Sequence, residues 1–128
     1  MSIKIVAIVQ ARMDSTRLPD KVLKSVVNRP MIELLLARLS QSSELDEIIV
    51  ATSKDPTNDR LQTVVESLGF KCIRGSENDV LNRYYMAAKS VSADVIVRIT
   101  GDCPLVDPIL VDQCVREFKR SGVDYLSN

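Results

Sequence analysis

Two rhythms of apolar residues alternate along this chain. Short continuous runs at residues 3–9, 47–52, 70–73 and 94–100 have the length and β-branched content of buried strands, and residues 123–126 begin another. Between the runs, apolar residues recur at helical spacing. Ile32, Leu35, Leu36 and Leu39 form one such stripe, with Pro30 suited to its first turn. Leu61, Val64, Val65 and Leu68 form a second, opened by Asp55-Pro56 and closed by Gly69. The third runs through Val80, Tyr84, Ala87, Ala88 and Val91, after Ser76-Glu77-Asn78-Asp79, which resembles a capping box. A fourth, Val111, Cys114, Val115 and Phe118, lies between Asp107-Pro108 and Gly122.

Five strands alternating with four helices predict an α/β fold: a mostly parallel sheet covered on both faces, in three α/β/α layers. With 128 residues and no linker, repeat or low-complexity tract, a single domain is expected. The last residues stop in what reads as a strand running into a loop, which favours the N-terminal portion of a longer enzyme.

Composition narrows the chemistry. Acidic and basic residues are equal at 17 each, which argues against bulk nucleic acid as a partner. No apolar stretch approaches the roughly 18 residues needed to span a bilayer, and the first residues lack a signal-peptide pattern. Cys72, Cys103 and Cys114 form neither a disulfide framework nor a metal-type pair, as expected in a reducing cytoplasm. Histidine is absent, so catalysis must use carboxylates, Lys, Arg, hydroxyls or a hard metal ion.

Two segments after strand-like runs carry candidate chemistry. Residues 12–24 hold four cations (Arg12, Arg17, Lys21, Lys24) against two acids (Asp14, Asp20). A cationic loop after a first strand suits either solvent or a polyphosphate, which Arg grips bidentately and Lys holds as a point charge. Neither a GxxxxGK[ST] loop nor a GxGxxG fingerprint occurs, so side chains, hydroxyls and backbone N–H groups would do the binding. In Arg98-Ile99-Thr100-Gly101-Asp102-Cys103-Pro104, an aspartate after a strand serves either as a turn residue or as a Mg²⁺ ligand.

Together these motifs give a resemblance. The chain resembles the cytidylyltransferase family that makes CMP-activated sugars, such as the CMP-ulosonate and acylneuraminate synthetases, and above all its spore coat polysaccharide biosynthesis branch. The matching residues are Gln10-Ala11-Arg12, Ser15-Thr16-Arg17-Leu18-Pro19, Lys21-Val22-Leu23, Arg29-Pro30-Met31-Ile32, Ile49-Val50-Ala51-Thr52-Ser53, Arg74-Gly75-Ser76-Glu77-Asn78-Asp79-Val80-Leu81 and Arg98 to Leu105. The resemblance implies a nucleotide-diphospho-sugar transferase-like fold, CTP as donor, Mg²⁺ as cofactor, a small acidic sugar as acceptor and a homodimer in the full-length protein. Carried over residue by residue, it puts Arg12 and Lys21 on the CTP phosphates, with Ala11, Ser15 and Arg17 beside them. Asp102 becomes the metal ligand, and Arg74, Gly75 and Ser76 approach the nucleoside. Thr52, Ser53 and Arg98 are further pocket candidates.

The chain departs from the family at Asp14 and Asp20, where glycine is usual. A carboxylate about 4 Å from phosphate adds repulsion of order 1 kcal/mol even in water, so weakened CTP affinity is expected. The implied reaction is CMP transfer with release of pyrophosphate. Its rivals are a non-catalytic nucleotide-binding module and a glycosyltransferase, although the latter's Asp-x-Asp motif is absent at Asp102-Cys103-Pro104.

Overall fold

A computed structural model describes residues 3–11, 25–26, 29–100 and 106–122. Its elements are β1 (Ile5–Gln10), β2 (Ser25–Val26), β3 (Arg29–Pro30), α1 (Met31–Leu39), β4 (Glu47–Ser53), α2 (Asp59–Ser67), β5 (Lys71–Gly75), α3 (Val80–Ser90), β6 (Val95–Thr100) and α4 (Pro108–Ser121). The four long strands form a wholly parallel sheet in the order β5-β4-β1-β6. β2 and β3 pair in a small antiparallel ribbon, which no hydrophobic period announces because each strand is two residues long. The expected strand at 123–126 lies outside the described residues.

Strand order explains the layers. The chain steps outward from β1 to β4 to β5, then returns to the far side of β1 as β6. Right-handed crossovers that reverse direction must change face. Accordingly α1 and α2, joined by α4, pack on one face against Ile5, Val9, Val50 and Cys72. Among the described residues α3 covers the other, where Tyr84, Ala87 and Val91 meet Val6, Ile8, Ile49 and Ala51. β1 is central and apolar on both faces, which is why its run is continuous rather than alternating.

Most helix boundaries fall where the caps put them. Asp55 accepts from Thr57 N at 2.9 Å and starts a 3₁₀ turn, Pro56–Asn58, that runs into α2. Asp107 accepts from Ile109 N with Pro108 at the first turn, and Gly122, at φ 69°, ends α4 left-handed. Two boundaries differ from expectation. Pro30 closes β3 and precedes the helix rather than opening its first turn. The cap of α3 is Asp79, which accepts from Asn82 N at 3.1 Å, while Ser76 accepts from Asp79 N in the turn before it.

At the amino end of the sheet the loop between α1 and β4 grips α4. Ser42 and Ser43 hydroxyls and the N–H groups of Ser43 and Glu44 all donate to the Asp112 carboxylate. Burial pushes that carboxyl's pKa up, but these donors outweigh it and hold it down at about 2.

Candidate functional site

All four motif-bearing segments leave the sheet at its carboxyl end. β1 and β6 are hydrogen-bonded neighbours whose last residues, Gln10 and Thr100, stand in register. One strand therefore delivers the chain into residues 12–24 and its neighbour into residues 101–105. On the other side, Gln10 registers with Ala51, and Ser53 registers with Gly75. The order β5-β4-β1-β6 reverses between β1 and β6, and open α/β sheets bind ligands at such a crevice. Arg12, Ser15, Arg17, Lys21 and Asp102 lie outside the described residues. Ala11 is buried and donates its N–H to Ala51 O at 3.1 Å, carrying the β1–β4 pairing one residue past the strand.

Arg74 is the best-defined polar group here. Its Nε donates to Ser53 O (2.6 Å), one terminal nitrogen to Gln62 Oε1 (2.7 Å), and the other to Asp55 O (2.8 Å) and Asp59 Oδ1 (3.1 Å). The Asp59 pair is largely exposed and adds little, whereas the two carbonyl contacts fix the path of residues 53–59. Ser53 is itself buried, its hydroxyl accepting from Asn58 Nδ2 at 2.7 Å. Beside it Thr52 is fully buried, and its hydroxyl has no hydrogen-bond partner among the described residues.

The turn after β5 is held by packing. A Cβ at Gly75 would stand 2.9 Å from both Cα and Cγ of Arg83, so α3 approaches β5 as closely as it does only over a bare glycine. Ser76 N donates to Asn82 Oδ1 at 3.2 Å, tying the turn to the first turn of α3. Residue patterning missed Arg83, which is 1% exposed on the inner face of α3 beside Tyr84 and Ala87. Its signal is a charge on the apolar stripe, four residues before Ala87. Arg98 projects from β6 on the α3 face, with its guanidinium carbon 4.3 Å from the Tyr84 ring centroid.

Other chemistry is limited. Burial raises the Cys72 thiol to about 11, with Arg74 opposing and Glu66 reinforcing, so it is no nucleophile near neutral pH. Among the described residues no three Asp, Glu or Cys side chains gather as a metal-binding group, so these residues alone do not compose a Mg²⁺ site. A cavity of about 500 Å³, lined by Ser42, Asp46, Gly69 and Phe70 among others, opens at the amino ends of β4 and β5. That is the opposite end from the motif-bearing loops, where a parallel sheet offers no ligand crevice. No helix among the described residues is long and apolar enough to cross a membrane.

Residues 6–128 match the family model described as cytidylyltransferase. This chain belongs to the cytidylyltransferase family. An uncharacterized protein of Methanocaldococcus jannaschii is 47% identical over 124 residues, covering 97% of this chain and 51% of that protein. The spore coat polysaccharide biosynthesis protein SpsF of Bacillus subtilis is 40% identical over 125 residues, covering 94% of this chain and 52% of its own. A CMP:2-keto-3-deoxy-manno-octonic acid synthetase complexed with CTP superposes with a TM-score of 0.83 at 30% identity, over 94% of this chain and 49% of that one. The fold is thus the nucleotide-diphospho-sugar transferase-like one, and the chain spans about half the length of the curated relatives it matches.

Proposed function

We propose that this cytidylyltransferase chain is the N-terminal, CTP-binding portion of an enzyme that transfers CMP from CTP to a small acidic sugar for surface polysaccharide synthesis. The observation that supports this best is the register of Gln10 with Thr100 at the carboxyl ends of adjacent parallel strands. In sequence, the cationic 12–24 segment follows the first of these paired ends and Gly101-Asp102 follows the second. A triphosphate and the groups that neutralise it need that adjacency.

In the reaction, an acceptor hydroxyl attacks the α-phosphorus of CTP in line. A bond forms between that oxygen and phosphorus, the bond from α-phosphorus to the bridging oxygen breaks, pyrophosphate leaves and the hydroxyl proton is lost to water. No covalent enzyme intermediate is required. Arg12 and Lys21 hold the β- and γ-phosphates, Ser15 and Arg17 support them, and the charge on departing pyrophosphate falls where these cations are. Ala11 carries the backbone from β1 to that loop. The Arg74-Gly75-Ser76 turn lines the nucleoside side, with Arg74 shaping the wall through its bonds to the 53–59 backbone. A Mg²⁺ ion on Asp102 would add charge neutralisation at the phosphates.

The cell's cytoplasm, where CTP is made, is the proposed location, and homodimerisation is proposed for the full-length enzyme. The test is pyrophosphate release from CTP with 3-deoxy-manno-octulosonate, the sugar in the names of several relatives, and with other acidic sugars. Release that needs both CTP and an acidic sugar supports the reading. Consumption of a sugar nucleotide without pyrophosphate would replace it with glycosyl transfer.

A further inference from the structure

The face of the sheet that carries α3 is unevenly covered. Among the described residues α3 packs on β5, β4 and β1, and on β6 the outward side chains stay exposed beside it. With a two-residue period, Ile96, Arg98 and Thr100 share that face, and all three are exposed. Their alternate neighbours Val95, Val97 and Ile99 pack into the core beneath α1, α2 and α4. β6 therefore presents a shelf beside α3, one strand from β1, that ends at Thr100.

Among the described residues Arg98 is the one charged group on this shelf, and it is already oriented. Its guanidinium sits over the Tyr84 ring at 4.3 Å, and Tyr84 is only 5% exposed. Besides this ring contact, Arg98 makes no hydrogen bond or ion pair among the described residues, which leaves its N–H donors available there. Such an arrangement differs from Arg74, whose three nitrogens each donate within the chain. Stacking on an aromatic face fixes a guanidinium while leaving its in-plane donors free for a planar, bidentate acceptor. A carboxylate fits that fork.

We infer that Arg98, positioned by Tyr84, receives the carboxylate of the acceptor sugar on the β6 shelf. The inference rests on the proposed nucleotidyl transfer and extends it to the acceptor subsite. The phosphate-binding cations follow β1, whereas Arg98 lies on the neighbouring strand. An acceptor held there lies beside a nucleotide bound at the end of β1, on the open face of the sheet. Selection of acidic over neutral sugars then comes from one preorganised cation, and removing it should cost affinity for the acid alone.

The experiment is calorimetry on the whole chain and its R98Q and R98K variants. Each is first titrated with the α,β-methylene analogue of CTP, which cannot transfer CMP. The complex is then titrated with 3-deoxy-manno-octulosonate and N-acetylneuraminate, each paired with its methyl ester. The wild type should prefer at least one acid over its ester. R98Q should lose about 10- to 100-fold in affinity for that acid and nothing for the ester, and R98K should fall between. CTP-analogue affinity should stay within about twofold in both variants. An acid preference that survives R98Q, or its absence in the wild type, overturns the assignment. An equal loss for the CTP analogue would move Arg98 to the nucleotide phosphates and also overturn it. Failure of the wild type to bind the CTP analogue appears in the first titration and overturns the nucleotidyl-transfer reading together with its extension.

Discussion

Replacing Gly75 by alanine tests a close helix–strand junction at the carboxyl end of the sheet. The new methyl would lie 2.9 Å from Arg83 Cα and Cγ, against 3.4–4 Å for ordinary contact. Because Cα belongs to helix backbone, rotating a side chain cannot relieve the clash. α3 must instead retreat by about half an ångström or more, loosening Tyr84 and Ala87 against Ile8, Ile49 and Ala51. Overpacking of this kind costs about 1–3 kcal/mol. Stiffening the unfolded chain returns about 0.4–1 kcal/mol. The net loss is about 1–2 kcal/mol, which for a domain of this size lowers Tm by roughly 3–10 °C. Thermal melts followed by circular dichroism, with urea titrations to confirm that the m-value is unchanged, read this directly. A G75A protein melting within about 1 °C of wild type would show that α3 does not depend on that bare contact.

Three further outcomes follow from the same geometry. Asp112→Asn should destabilise by about 1–2 kcal/mol at pH 7, a figure discounted for water at the loop, because it breaks up the donor set from Ser42, Ser43 and Glu44. Asp112 is depressed to about 2 from 3.8. Its contribution is therefore complete above the unfolded value and fades as pH falls toward 2, so urea midpoints of wild type and variant should converge in acid. Arg74→Gln should leave the sheet intact yet free the 53–59 backbone, read as faster hydrogen exchange at Asp55 to Asp59; unchanged protection there would deny Arg74 its clasping role. Asp20→Gly should tighten CTP binding by about fivefold by removing like-charge repulsion of order 1 kcal/mol, and no gain in calorimetry would count against a phosphate next to that position.

Much of the fold was legible because the decisive residues act locally. Asp55-Pro56, Asp107-Pro108 and Gly122 stop or start helices by their own hydrogen bonds and backbone preferences, whatever surrounds them. The continuous run of β1 announced a strand buried on both faces, and its central place in the sheet follows. Where two local signals overlapped, the reading slipped. Ser76 and Asp79 are both good caps three residues apart, and α3 starts at the later one, where Asp79 accepts from Asn82 N. Arg98 entered as a pocket candidate only through the family resemblance. Its partner Tyr84 was read as core, because a cation over a ring depends on strand order rather than on spacing. The four bonds of Arg74 were hidden for the same reason, since they join residues 12 to 21 positions apart.

The central claim is that the crevice between the ends of β1 and β6 binds CTP. Calorimetric titration with CTP, UTP, GTP and ATP, each with and without Mg²⁺, on wild type and Asp102→Ala tests it most directly. The account predicts selective binding of CTP that Mg²⁺ strengthens in the wild type and leaves unchanged in Asp102→Ala. Equal affinity for all four nucleotides, or a Mg²⁺ effect indifferent to Asp102, would contradict it.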